Sequence, residues 1–144
     1  MTQYAELFIT VYYTLRTIWM KRNKLIFSSL PKTWILDIDG TIVIHNGYKN
    51  GNDVLLSGVK QFFKKIKKGD TVIFITSRDI SQKKSLEKFL NKNKIRYDHI
   101  IYNVPIGERI LINDKKPSGL KTAFAINKKR DEKLKIDFSI SKSL

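Results

Sequence analysis

The chain has 144 residues with no cysteine and two histidines, which excludes disulfides, thiolate catalysis, Cys-based zinc sites and a His-rich metal centre. Its length suits one domain with a real core, its 42% hydrophobic content fits a globular chain, and no stretch approaches the ~20 apolar residues of a membrane-spanning helix. A net charge of +15 favours anionic partners (phosphorylated substrates, nucleic acid or an acidic membrane surface), although the lysines are scattered, which makes charge alone a weak argument for nucleic acid.

Residues 2–22 carry Tyr4, Leu7, Phe8, Val11, Tyr12, Leu15, Ile18 and Trp19 at helical spacing. Lys21, Arg22 and Lys24 follow at the C-terminal end, where cations suit the helix dipole. A secretory signal has its basic residues before the apolar core, so none is expected and the protein is expected to be cytoplasmic. The helix has three uses to choose from: packing on its own domain, forming a homo-oligomer or partner-protein interface, or lying on a membrane surface. Leu25 to Leu30 reads as an apolar connection closed by Pro31.

Trp34-Ile35-Leu36-Asp37-Ile38-Asp39-Gly40-Thr41 follows. Its apolar run predicts a buried strand over 33–39. Alternate strand residues share a side, so Asp37 and Asp39 come together at the strand's C-terminal end, where open α/β sheets bind ligands. Two carboxylates ~4 Å apart repel by about 4 kcal/mol at an effective dielectric of 20. A proton, a basic side chain or a divalent cation must offset that, and oxygen ligands suit Mg²⁺. Gly40 lets the chain turn sharply, and Thr41 offers a hydroxyl.

Residues 42–56 turn from apolar to polar and glycine-rich, which predicts a hairpin or flap over the strand end. Residues 57–68 predict a helix with Ser57 as N-cap, an apolar face of Val59, Phe62, Phe63 and Ile66, and Gly69 closing it. Thr71 to Ile75 predicts a second buried strand running into Thr76-Ser77-Arg78. Residues 80–93 predict a helix, with Leu86, Phe89 and Leu90 facing inward. Residues 97–102 predict a third strand, and Arg109-Ile110-Leu111-Ile112-Asn113-Asp114 a fourth, ending in polar groups. A short final strand is expected over 122–126, then a charged terminal helix or mobile tail. The domain reading is a helix and connection over 1–30, a core over 31–127 and a tail over 128–144.

The strand–Asp-x-Asp-Gly-Thr pattern, with Thr76 and then Asp114 after later strands, resembles the haloacid dehalogenase (HAD) superfamily over roughly residues 33–127. The resemblance implies a Rossmann-like three-layer α/β/α fold with a parallel sheet. The 42–56 insert is too short for a cap domain, so the site is expected to be open. It implies Asp37 as the nucleophile that becomes an aspartyl-phosphate, and Asp39 as general acid and base. Thr76, Ser77 and Arg78 are implied to hold the phosphoryl group, together with Gly40 and Thr41. Mg²⁺ is implied on Asp37, Asp39 through its backbone carbonyl, Asp114 and Asn113; the family often has a second aspartate where Asn113 stands. A lysine that the family usually places before the acidic strand is missing from Asn103 to Glu108. Lys115 is its first replacement, with Lys84 and Arg109 behind it. Tyr97-Asp98, Ile100-Ile101 and Asn113-Asp114-Lys115 are reminiscent of small capless members linked to capsular-polysaccharide or sugar-phosphate metabolism.

The implied activity is a Mg²⁺-dependent phosphomonoester hydrolase acting on a sugar phosphate or similar metabolite. Alternatives are a polynucleotide 3′-phosphatase, and a non-catalytic HAD-fold module that binds a phosphorylated ligand or partner protein. A receiver domain fits less well, because no lone aspartate ends the strand at 71–75. No P-loop pattern is present.

Overall fold

The computed structural model describes residues 5, 8–14 and 24–144. It is a mixed α/β protein with parallel strands in two open sheets. Among the described residues, no helix is long and apolar enough to cross a membrane. The chain forms two compact units, Met1–Ser29 with Ile136–Leu144, and Leu30–Lys135.

In the first unit, residues 8–14 are helical; the rest of the expected 2–22 helix, apart from residue 5, lies outside the described residues. Three members of its apolar stripe, Phe8, Val11 and Tyr12, are exposed, Phe8 by 75%. Strand β1 (Leu25–Phe27) pairs in parallel with a C-terminal strand, Phe138–Ile140, in the register Leu25 to Phe138. The Phe27 and Phe138 rings meet at a tilt, their centres 5.4 Å apart. The expected apolar connection is therefore a strand, and so is part of the expected tail. The signal was an alternation of Ile136, Phe138 and Ile140 with Asp137, Ser139 and Ser141, the period of a strand.

The second unit is built on β2 (Thr33–Asp37), β3 (Thr71–Ile75) and β4 (His99–Ile101), all parallel in that order. Asp37 lies opposite Ile75, so the residues after both strands emerge at one edge. Helix α1 (Val59–Phe63) buries Val59 and Phe62, and α2 (Lys83–Lys92) buries Leu86 and Leu90. These spacings of three and four put each pair on one helix face. Leu36, Ile38, Ile42, Val43, Leu56, Val72, Phe74, Ile95 and Leu134 are also buried in the core. The Phe62 ring meets Trp34 edge-on at 5.4 Å.

Several elements differ from the sequence expectation. Helix α1 is short, and Ser57 does not cap it. Gly58 precedes it at φ 84°, while the Ser57 carbonyl accepts the amide of Leu134 (2.9 Å). Helix α2 follows a 3₁₀ turn, Ile80–Gln82, capped by Asp79 on the Ser81 amide (2.8 Å). The stretches 109–114 and 122–126 are coil, not strands. Ile112 is 91% exposed. Arg109 instead ties its own loop together, donating to the carbonyls of Pro105 and Gly107 (2.6 and 2.7 Å). An apolar run becomes a strand only when a sheet edge takes its backbone groups, and here local bonds hold the loop.

Asp70, unremarked in the sequence, anchors the start of the sheet. Its carboxylate accepts the amide of Lys32 (3.0 Å), the indole N–H of Trp34 (2.9 Å) and the amide of Lys67 (3.3 Å). Burial opposes its charge, but these donors outweigh burial and hold the carboxyl below its usual range. Asp70→Ala should cost about 2 kcal/mol of stability at neutral pH, because it leaves these donors unsatisfied. A depressed folded pKa contributes stability above the unfolded value and loses it as pH falls through the folded one. The gap between wild type and variant in urea unfolding should therefore narrow in acid.

Candidate active site

Asp37 closes β2, and the chain then wraps tightly. The amides of Thr41, Ile42 and Val43 all donate to the Ile38 carbonyl (3.2, 2.8 and 3.1 Å), and the Gly40 amide donates to Val43 (2.7 Å). Gly40 sits at φ 82°, a conformation that disfavours any residue with a Cβ. The expected flap follows as a hairpin. Val43 bridges Leu55 in antiparallel fashion, and a 3₁₀ turn, Gly47–Asn50, forms its tip.

Arg78 organises the site. It follows β3 by three residues and is only 2% exposed. Its Nε and Nη2 donate to both carboxylate oxygens of Asp39 (2.8 and 2.9 Å). Its Nη1 and Nη2 donate to both oxygens of Asp53 (2.8 and 2.6 Å). The Tyr48 ring centre lies 4.2 Å from the guanidinium carbon. Burial works against this charge, but the bonds and charges of Asp53 and Asp39 outweigh it and raise the guanidinium pKa. The sequence pointed to Arg78 as a phosphate ligand; in the structure, four of its N–H groups are engaged by carboxylates. Asp53 was missed, although it is the only acid within residues 42–56.

Asp37 is half-buried. Its Oδ2 accepts the Thr41 hydroxyl (3.3 Å). Burial first, and then the neighbouring charge of Asp39, push its carboxyl above the usual range; the Thr41 hydroxyl, the charge of Arg109 and the Ile38 amide pull the other way. Arg109 is thus within electrostatic reach of Asp37. Lys115, the first replacement for the family lysine, is exposed on coil and Lys84 is exposed on α2.

Thr76 is buried at the end of β3, its amide on the Ile101 carbonyl (2.9 Å). Its hydroxyl oxygen accepts the Arg78 amide (3.2 Å), which leaves the hydroxyl proton to donate. Ser77 is exposed. Asn113 and Asp114 do not join the site. They lie on the exposed coil, where Asn113 accepts the Asp114 amide (3.1 Å) and Asp114 pairs with Lys116 (3.3 Å). Of the expected metal ligands, Asp37 and Asp39 come together on one turn. Among the described residues, no group of three or more His, Asp or Glu forms a metal-holding cluster.

Comparisons with protein-family models, curated proteins and solved structures find no match to this chain.

Removing one partner from a buried ion pair costs about 3–5 kcal/mol, since the other charge stays buried. Asp53→Ala should therefore lower stability by about 3 kcal/mol. Lys116→Ala, which breaks the exposed pair with Asp114, should change it by less than about 1 kcal/mol. Urea unfolding of the two variants beside wild type checks the contrast.

Proposed function

We propose that the 30–135 unit is a HAD-type phosphomonoester hydrolase acting on a sugar phosphate or similar metabolite. The observation that carries this is the pairing of Asp37 and Asp39 on one glycine turn at the C-terminal edge of a parallel sheet, with Thr76 ending the adjacent strand. In this reading an Asp37 carboxylate oxygen attacks phosphorus, and the bond to the leaving oxygen breaks. Asp39, which Arg78 holds as a carboxylate, must first take a proton from solvent and then gives it to that oxygen. It then takes one from the water that attacks the aspartyl-phosphate, which releases phosphate and restores Asp37. The Thr76 hydroxyl donates to a phosphoryl oxygen. Arg78 acts by positioning: its grip on both Asp39 oxygens orients that carboxyl.

The donors at the turn are hard oxygens, and the Asp37 carboxylate and the Asp39 backbone carbonyl are the groups that would hold Mg²⁺, since Arg78 engages the Asp39 side chain. The raised pKa of Asp37 marks a carboxyl whose charge a cation would stabilise. When bound, Mg²⁺ would offset charge on the transferred phosphoryl group.

The engagement of Arg78 by Asp39 and Asp53 favours a second reading, a non-catalytic HAD-fold module that binds a phosphorylated ligand or partner. Hydrolysis of p-nitrophenyl phosphate and a panel of phosphomonoesters, with Mg²⁺ and with EDTA, separates the two. The expected result is metal-dependent turnover, lost by at least about a thousandfold in Asp37→Asn, as befits removal of a nucleophile. Full turnover in that variant would refute the mechanism, and no turnover across the panel would favour the non-catalytic module.

A further inference from the structure

Residues 128–135 read Lys-Lys-Arg-Asp-Glu-Lys-Leu-Lys, the composition of a solvated tail. They are instead strapped to the turn after β2. The Asp131 amide donates to the Gly40 carbonyl (3.0 Å), and its carboxylate accepts the His45 amide (2.7 Å). Further along, Leu134 is buried and bonds the Ser57 carbonyl (2.9 Å). A Cβ on Gly58 would collide with the Leu134 carbonyl, so that glycine is required where the strap crosses. Asp131 itself has φ 60°. That left-handed region is one that short polar residues such as Asp tolerate, and the two bonds it makes hold it there.

The strap brings cations to the turn. Lys129 forms an exposed ion pair with Glu132 at 3.2 Å. The Lys128 ammonium donates only to carbonyls, those of Gly40 (3.0 Å) and Lys129 (2.8 Å). The stem of Arg130 lies across Gly40 so closely that a Cβ there would meet its Cγ at 2.9 Å. Among the described residues, no carboxylate is within ion-pair distance of Lys128 or Arg130. His45 approaches that same Gly40 position to 3.7 Å, and its buried Nδ1 has no hydrogen-bond partner. The strap thus sets the Lys128 ammonium and the Arg130 stem on Gly40, the residue after Asp39, with the charges of Asp131 and Glu132 acting on Lys128 from beyond ion-pair distance.

We propose that Lys128 and Arg130 form a second anion subsite, which takes a phosphate group of the substrate other than the one transferred at Asp37. This rests on the phosphatase reading and narrows its substrate class to molecules with two phosphate-type groups. A bisphosphorylated metabolite and a 3′-phosphorylated polynucleotide end both supply that chemistry.

The test compares kcat/KM for p-nitrophenyl phosphate, a sugar bisphosphate and a 3′-phosphorylated oligodeoxynucleotide. Wild type should prefer at least one of the two substrates that carry a second phosphate. Arg130→Ala and Lys128→Ala should each reduce that preference about tenfold, the worth of one charge-assisted bond, chiefly through KM. Arg130→Lys should restore part of it. Preference for the oligonucleotide that fades steeply with salt would assign the second anion to a phosphodiester backbone; preference for the bisphosphate would assign it to a metabolite. Turnover with the preference unchanged in both alanine variants would overturn the subsite and leave the phosphatase reading standing. Calorimetry of Asp37→Asn with inorganic pyrophosphate supplies an arm that needs no turnover. Binding weakened by Arg130→Ala supports the subsite even if no phosphomonoester is hydrolysed. Equal binding with and without Arg130 overturns it. Arg130 is exposed, so its variants should melt like the parent.

Discussion

The buried guanidinium of Arg78 is the interaction on which the site depends. It draws together three segments that are distant in sequence: the turn after β2 through Asp39, the loop after β3 through its own backbone, and the flap through Asp53 and Tyr48. Alone, none of these charges would tolerate its position. Desolvation penalises each, and the mutual bonds make burial affordable. Asp39 and Asp53 would repel each other without the arginine between them, so it works as a hub as well as a counterion. The flap is thereby fastened by charge, and its buried residues Ile42, Val43 and Leu56 add an apolar hold beneath it.

Asp37 has a different environment. It lies on the same turn as Asp39 but outside the arginine clamp, with a threonine hydroxyl as its hydrogen-bonding side chain. Burial and the adjacent carboxylate raise its pKa, and the charge of Arg109 partly relieves this. Two neighbouring carboxyls thus have unlike surroundings, one locked in an ion pair and one left short of positive charge. Such a division suits chemistry in which one carboxyl is held in place and the other meets an electrophile or cation. The strap at 128–134 sets Lys128 and Arg130 against Gly40, so a short loop carries both an acid pair and a basic border.

The strands at 33–37 and 71–75 were legible because continuous apolar, β-branched runs ended at polar residues. The flap was legible from its glycines and asparagines. The same rule failed at 109–114, where Ile110-Leu111-Ile112 has a strand's composition and no sheet partner. Composition reports what a segment could bury, whereas pairing depends on an edge that arrives from elsewhere in the chain. The failure removed Asn113 and Asp114 from the site. It failed in the other direction at 138–140, where modest alternation was outweighed by the surrounding charge.

By itself the sequence determined the parallel α/β character and the position of Asp37, Asp39, Gly40 and Thr76 at strand ends, because local periodicity places side chains at the end of a strand without reference to the rest of the molecule. Only the tertiary structure decided who partners whom. That Arg78 faces Asp39 and Asp53, that the charge of Arg109 acts on Asp37, and that a charged C-terminal segment is bound across Gly40 are consequences of long-range placement. Charged side chains are long and their sequence neighbours uninformative. Where they settle is governed by desolvation and by the nearest opposite charge in space, neither of which one-dimensional spacing contains.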